Sequence, residues 1–326
     1  MTVTEIAKLA GVSKACVSRY FNHGYVSEEK KEKIKKVVEE TGYVPNRKSQ
    51  PTAQTKKPTI GVVIPKISSE SISRMIAGVS QVLNREGYRM LLADTENSVE
   101  KEIQYLQSFH QDELDGLIFI ATIMTEQHHK LLQSLNVPVV ILGQETADYS
   151  CVYHDDYGAA TAMAERLVQS DRKKIGAVLV TLKDKAAGEA RYRGYIDVLQ
   201  KNHLPVENQR IVYSDFTLES GYDAAEKLFA QAPDTQGIFC ATDTIAIGVM
   251  QYLKGIGKRI PEDVVITGIG HSRMTEIVSP TLTTTHLFYK STGMEGADML
   301  LKIIESGMDM KKKLIMGFEV IQQESC

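Results

Sequence analysis

No stretch of this 326-residue chain approaches the roughly 20 consecutive apolar residues that a membrane-spanning helix requires. The opening residues, MTVTEIAKLAGVSKACVSR, lack the apolar segment of a secretory signal, so a cytoplasmic location is expected. Cys16, Cys151, Cys240 and Cys326 are scattered without a CxxC or Cys/His spacing, which argues against zinc and for isolated thiols in a reducing compartment. His128 and His129 are adjacent rather than one turn apart and cannot share a helical face as metal ligands. There is no P-loop, no G-x-S-x-G and no nucleophile-base pair, and Gly268-Ile269-Gly270 lacks the third glycine of a dinucleotide fingerprint. No catalytic residue, cofactor or metal is therefore expected.

What is present is a charge asymmetry. Residues 1–58 hold 12 Lys and Arg against 6 Asp and Glu, leaving 26 against 35 for the remainder. Only the first segment looks made for a polyanion, and the acidic remainder would be repelled by the same phosphates.

The stretch NRKSQPTAQTKKP (46–58) is polar, basic and twice interrupted by proline, and reads as a linker after a domain of residues 1–46. Beyond it, β-branched runs alternate with amphipathic helical patterns. The runs are TIGVVIP (59–65), RMLLA (89–93), DGLIFI (115–120), VPVVIL (137–142), KIGAVLV (174–180), QGIFC (236–240) and DVVITGI (263–269). Such alternation implies right-handed βαβ units and mostly parallel sheets covered by helices. The number of units exceeds what one sheet carries comfortably. Two doubly wound α/β lobes are expected, one of residues 59–155 plus 285–326, the other of 156–284, with a ligand cleft between them. The Lys311–Lys313 run reads as a solvated turn before a last strand, LIMGFEVI (314–321).

Before the linker, Thr2 and Glu5 fit a capping box, so a helix starts at Val3 and should bury Ile6 and Leu9. Gly11 supplies the turn, and Ser13 caps a second helix over Lys14 to Phe21. Packing would consume Val17 and Phe21 and leave Lys14, Ala15, Ser18 and Arg19 outward, as in a recognition helix. Ser27 caps a third helix whose Ile34, Val37 and Val38 close a three-helix core.

At these residues the chain resembles the LacI/GalR (lactose-repressor) family: T-E-I-A-K-L-A-G-V-S-x-x-x-V-S-R-x-x-N at 4–22, V-S-x-x-x-x-x-K-I at 26–34 and G-Y-V-P-N-R at 42–47. The likeness continues through H-D-D-Y-G (154–158), A-R-Y-R-G-Y (190–195), C-A-T-D-x-x-A-I-G (240–248), R-I-P-E-D-V (259–264) and S-P-x-L-T-T (279–284). Within the family, IPKISSESISRMIAGVS and LTTTHLFYKSTG look most similar to sucrose-operon regulators. The resemblance implies a helix-turn-helix head-piece on a periplasmic-binding-protein-like core, a homodimer on palindromic operator DNA, and a sugar effector, disaccharides among the candidates. It implies base readers at Lys14, Ala15 and Arg19, and further DNA contacts at Thr4, Ser13, Cys16, Ser18, Asn22, Tyr43, Asn46 and Arg47. The family usually has Thr where Cys16 stands. Pro51 and Thr52 fall where the family carries a hinge helix with a groove-wedging Leu, which puts that wedge and DNA bending in question.

For the effector, Arg191 and Asp243 are expected at carboxyl ends of strands, a donor and an acceptor suited to a polyhydroxy ligand. The resemblance places Arg191, Asp243 and Phe216 in the effector pocket. Ser68, Ser69, Ser71 and Asp155 complete the expectation, with His271 where the family often has an Asp. Each has a plainer reading: a capping salt bridge for Arg191 or Asp243, helix caps for the serines and for Asp155 or Asp156, a structural histidine for His271. Several alternatives stay open: a sugar-binding protein without DNA function, an enzyme on the same scaffold, and a regulator using a phosphorylated sugar or a protein co-repressor. The sign of the effector's action is open as well.

Overall fold

Thr2 and Glu5 do close a capping box: Thr2 Oγ1 accepts from the Glu5 amide at 3.3 Å and Glu5 Oε2 accepts from the Thr2 amide at 2.7 Å. The computed structural model describes residues 2–21, 24–41, 43, 57–111, 114–307 and 311–326. It divides into two units, Met1–Lys56 and Lys57–Cys326. In the first, α1 (Val3–Leu9) begins at the box, and Gly11 takes the left-handed φ of +62° that turns the chain. Ser13 Oγ then accepts from the Cys16 amide at 3.3 Å and starts α2 (Lys14–Phe21), followed by α3 (Glu28–Thr41). Ile6, Val17 and Ile34 are fully buried at the meeting of the three helices. Leu9, expected in this core, is 59% exposed. The inward stripe is Val3, Ile6, Ala7 and Ala10, the i, i+3, i+4, i+7 row, and Leu9 falls off it.

In the second unit strands and helices alternate in the order β1 (Thr59–Ile64), α4 (Glu70–Arg85), β2 (Arg89–Asp94), α5 (Val99–Gln111), β3 (Gly116–Ile120), α6 (Glu126–Ser134), β4 (Val139–Leu142) and β5 (Ser150–His154). They continue with α7 (Asp156–Gln169), β6 (Ile175–Leu179), α8 (Arg191–Lys201), β7 (Ile211–Tyr213), α9 (Leu218–Gln231), β8 (Gly237–Cys240), α10 (Asp243–Gly255) and β9 (Val265–Thr267). Last come β10 (Thr284–Leu287), α11 (Tyr289–Ser306), β11 (Lys313–Met316) and β12 (Phe318–Ile321). One parallel sheet runs β11-β5-β4-β3-β1-β2, a second runs β7-β6-β8-β9, and β10 pairs antiparallel with β12.

The first sheet is covered on both faces. Ile60, Val62 and Ile64 of β1 point to the side of α4, whereas the intervening Val63 packs with Phe109, Phe119 and Leu132 on the other. That alternation within an all-apolar run is what a sheet buried on both faces demands. The predicted last strand, LIMGFEVI, is two strands in two sheets, parted at Gly317. Beyond Gly317 the tail leaves the first sheet: Ser325 accepts from the Ile266 amide through its carbonyl (2.9 Å) and donates from Oγ to the Ile266 carbonyl (2.7 Å). Residues 318–326 thus run beside β9 and β10, not with the first lobe as the sequence reading has it.

Helices α4 and α11 cross at glycines. A Cβ on Gly293 would meet the Met75 carbonyl oxygen, and one on Gly78 the Lys290 carbonyl oxygen, far inside contact distance. Both obstacles are backbone, so they cannot swing aside. Gly293→Ala is expected to lower unfolding free energy by about 1–3 kcal/mol, the cost of overpacking a tight contact, as urea melts of the two proteins would show.

Candidate effector site and DNA-reading surface

The carboxyl ends of both sheets in the second unit open on one cavity of about 440 Å³, within the range of small-molecule sites and at the place where such sheets bind ligands. Ile72, Met75, Ile120 and Ala121 give it an apolar wall, and Phe216, 41% exposed, lies on its lining. Ser68, Ser69 and Ser71 enter from the start of α4, with Ser69 Oγ 2.9 Å from Ser71 Oγ.

Arg191 stands at the opposite wall. A π-helical segment, Lys185–Ala190, runs directly into α8 and delivers Arg191 as its first residue. The irregularity matters because π-bulges shift side chains off the ordinary helical face and occur often at functional sites. Arg191 Nε and Nη2 both donate to Asp156 Oδ1, at 2.8 and 2.7 Å, and Nη1 donates to the Ala241 carbonyl. Both side chains of this ion pair are about 5% exposed. Asp184 caps the π segment, accepting from the Ala186 and Ala187 amides at 2.9 Å each. Burial nonetheless pushes its carboxyl up to about 6. From the first sheet Gln144 Nε2 reaches Asp184 Oδ1 at 3.4 Å, joining the two halves.

His154 ends β5 on the cavity wall, with Nε2 2.9 Å from Thr292 Oγ1 and its ring edge-on to Tyr289 at 5.0 Å. Burial pulls the imidazole down to about 4 and pushes the Tyr289 phenol up to about 12. Because the folded value of His154 lies below the usual 6.5, its contribution to stability is complete above that pH and lost as pH falls through 4. Asp184 and Asp243, both raised to about 6, act in the opposite sense, losing theirs as pH rises. The stability advantage of the wild type over His154→Gln should therefore shrink by about 3 kcal/mol between pH 6.5 and 4, read from urea melts at several pH values.

In the first unit, Lys14, Ala15 and Arg19 are exposed along α2, with Thr4 and Ser13 exposed beside them and Ser18 half-buried. Cys16 is half-buried and packs on the core. Tyr43 is half-buried too, its ring 5.8 Å from Phe21. A short polar row on the second helix of a three-helix unit is the form that enters a major groove. Asn22, Asn46, Arg47 and the hinge positions Pro51 and Thr52 lie outside the described residues.

Residues 2–46 match the family model for bacterial regulatory proteins of the lacI family, and residues 57–324 that for periplasmic binding proteins and the sugar binding domain of the LacI family. The chain is 33% identical to the sucrose operon repressor of Staphylococcus xylosus over 97% of its own length and 98% of that protein's. This chain belongs to the LacI family. It is a DNA-binding transcription regulator. Catabolite control protein A of Priestia megaterium is 31% identical over 87% of the chain and 86% of the relative. Among solved structures, the transcriptional regulator CelR in complex with cellobiose superimposes with a TM-score of 0.78 at 25% identity, each chain covered completely.

Of the effector residues predicted for this LacI-family chain, Ser68, Ser69, Ser71, Arg191 and Phe216 line the cavity, and Asp155, Asp243 and His271 do not. Asp155 caps α7, its Oδ1 accepting from the Gly158 amide at 2.8 Å, while its neighbour Asp156 turns inward to Arg191. Asp243 is buried beside the cavity with both carboxylate oxygens engaged by protein donors. His271 stacks edge-on to His286 and bonds to Glu276 through Nε2 (3.2 Å). His154, Asp184 and Tyr289 were missed. His154 heads the same H-D-D-Y-G string that drew attention to its neighbours, and Asp184 precedes a helix that periodicity alone starts at Ala187.

Proposed function

We propose that this regulator is a cytoplasmic homodimer without catalytic activity, and that a sugar binding in the core cavity alters its grip on a palindromic operator. The observation that carries the proposal is the cavity itself: a desolvated Arg191–Asp156 pair and a row of serine hydroxyls face an apolar wall and Phe216. A polyhydroxy ring needs several fixed donors and acceptors plus one apolar face to rest on. Arg191, Asp156, Ser69 and Ser71 would bond to hydroxyls, and Phe216 would cover a ring face. One head-piece offers one reading helix, so two protomers, each placing Lys14, Ala15 and Arg19 in a half-site, fit operator symmetry.

One feature favours a phosphorylated sugar as a second reading. Lys66 lines the cavity next to Ser68 and Ser69, where α4 begins without a side-chain cap on its amides.

The test is a thermal-shift and calorimetric panel of sucrose, cellobiose, ribose and the phosphate esters of these sugars, followed by operator titration with and without each binder. A true effector at about 100 times its Kd should stabilise the protein by about 2.7 kcal/mol and change DNA affinity in a salt-dependent assay. Binding confined to the esters would establish the second reading. Were no member of the panel to bind, or a binder to leave DNA affinity untouched, the assignment of this cavity would fall. Recovery of chemically altered sugar would overturn the non-catalytic part.

A further inference from the structure

Asp243 is the first residue of α10, yet it lines a side recess of about 90 Å³ rather than the main cavity. Both of its oxygens are taken. Thr284 Oγ1 donates to Oδ1 at 2.6 Å and the Ser272 amide donates to Oδ2 at 2.7 Å. The segment held this way is unusual, because Gly270 has φ +136° and the adjacent His271, a residue with a side chain, has φ +51°. Two successive positive φ values outside a glycine pair persist only where surrounding contacts impose them. The main chain so shaped then meets the other half of the core. The His271 carbonyl accepts from Arg74 Nη1 at 3.1 Å, and the Arg273 amide donates to the Glu70 carboxylate at 3.2 and 3.3 Å. Glu70 and Arg74 are one turn apart on α4, so both can face the same loop.

We propose that Asp243 is a positioning residue, holding the 270–273 loop in the shape whose main chain clasps Glu70 and Arg74 and so ties the second sheet's half of the core to the start of α4. The consequence for the effector rests on the function proposed above: the serines that would meet a sugar sit on the α4 end of this clasp, so the halves close over the ligand as coupled parts rather than independently. An aspartate that merely bonded to a sugar hydroxyl would have no effect on α4 in the absence of ligand.

The experiment is amide hydrogen exchange on the full-length protein without ligand, comparing the wild type with Asp243→Asn, Thr284→Val and Thr284→Ser. An amide side chain cannot accept from two donors on both of its atoms, and valine removes the Thr284 hydroxyl, whereas serine keeps it. Asp243→Asn and Thr284→Val should speed exchange about tenfold both at 271–275 and at Ser73–Met75, because a clasp opens at both ends together. Thr284→Ser should match the wild type, and β8 should stay protected throughout. Acceleration confined to 271–275, or none at all, overturns the proposal. If β8 also loses protection in Asp243→Asn, the Thr284 pair decides: a serine variant that fails like the valine one overturns the proposal as well. Failure of sucrose and every other sugar to bind the wild type would remove the effector reading and leave the exchange result standing.

Discussion

Arg191→Ala should destabilise the core by about 3–5 kcal/mol and abolish any sugar-induced thermal shift. Removing the guanidinium strips two charge-assisted hydrogen bonds from Asp156 and the donor from the Ala241 carbonyl. Asp156 is then a carboxylate about 5% exposed with its cation gone, and an uncompensated buried charge costs far more than the pair was worth. The distinction is testable, since replacing both partners with apolar residues of similar volume should restore most of the stability and none of the sugar response. Urea melts of the single variant and of Asp156→Leu combined with Arg191→Met give the two numbers. A single variant as stable as the wild type would mean that the pair is not desolvated, and a retained sugar shift would take Arg191 out of the binding set.

The second large effect belongs to the other unit. Arg19→Ala should weaken operator binding by about 1–3 kcal/mol per lost base contact. A symmetric dimer loses the contact twice, which brings the total to about 2–6 kcal/mol. Arg19 is exposed on α2 and the three-helix core beneath it is made by Ile6, Val17 and Ile34, so the fold should not register the change. Fluorescence anisotropy with operator duplex measures the loss, and the sugar-dependent thermal shift measured alongside should be unaltered. Equal damage to both readouts would show that Arg19 supports the structure rather than the interface.

Much of this was legible in the residues because the physics was local. The capping box at Thr2, the left-handed Gly11 and the Ser13 cap each depend on neighbours within four positions, and the structure places all three as read. Seven apolar runs became strands for the same reason. Strand β7, three residues long, carries too short a pattern to register. LIMGFEVI misled because a single glycine inside an apolar run does not reveal that the two halves pair with different sheets.

In the site, Arg191 and the α4 serines were recoverable from their position after strands. The choice between Asp155 and Asp156 was not: two carboxylates at a helix start satisfy the same pattern, and only the packing of α8 on α7 decides which one caps and which turns to Arg191. Asp243 shows the limit most clearly. Its place at the head of α10 suggested a ligand contact, but its partners, Thr284 and Ser272, come from segments that periodicity cannot bring together.

The split at Gly317 reaches beyond strand counting. Because the polypeptide visits the first sheet, moves to the second, comes back for α11 and β11, and departs again along β9, neither half is a continuous stretch that could be excised and expressed alone. A protease nick between β5 and α7 would therefore leave two fragments still laced together, and removing only the nine residues after Gly317 would strip support from the sheet farther away in sequence.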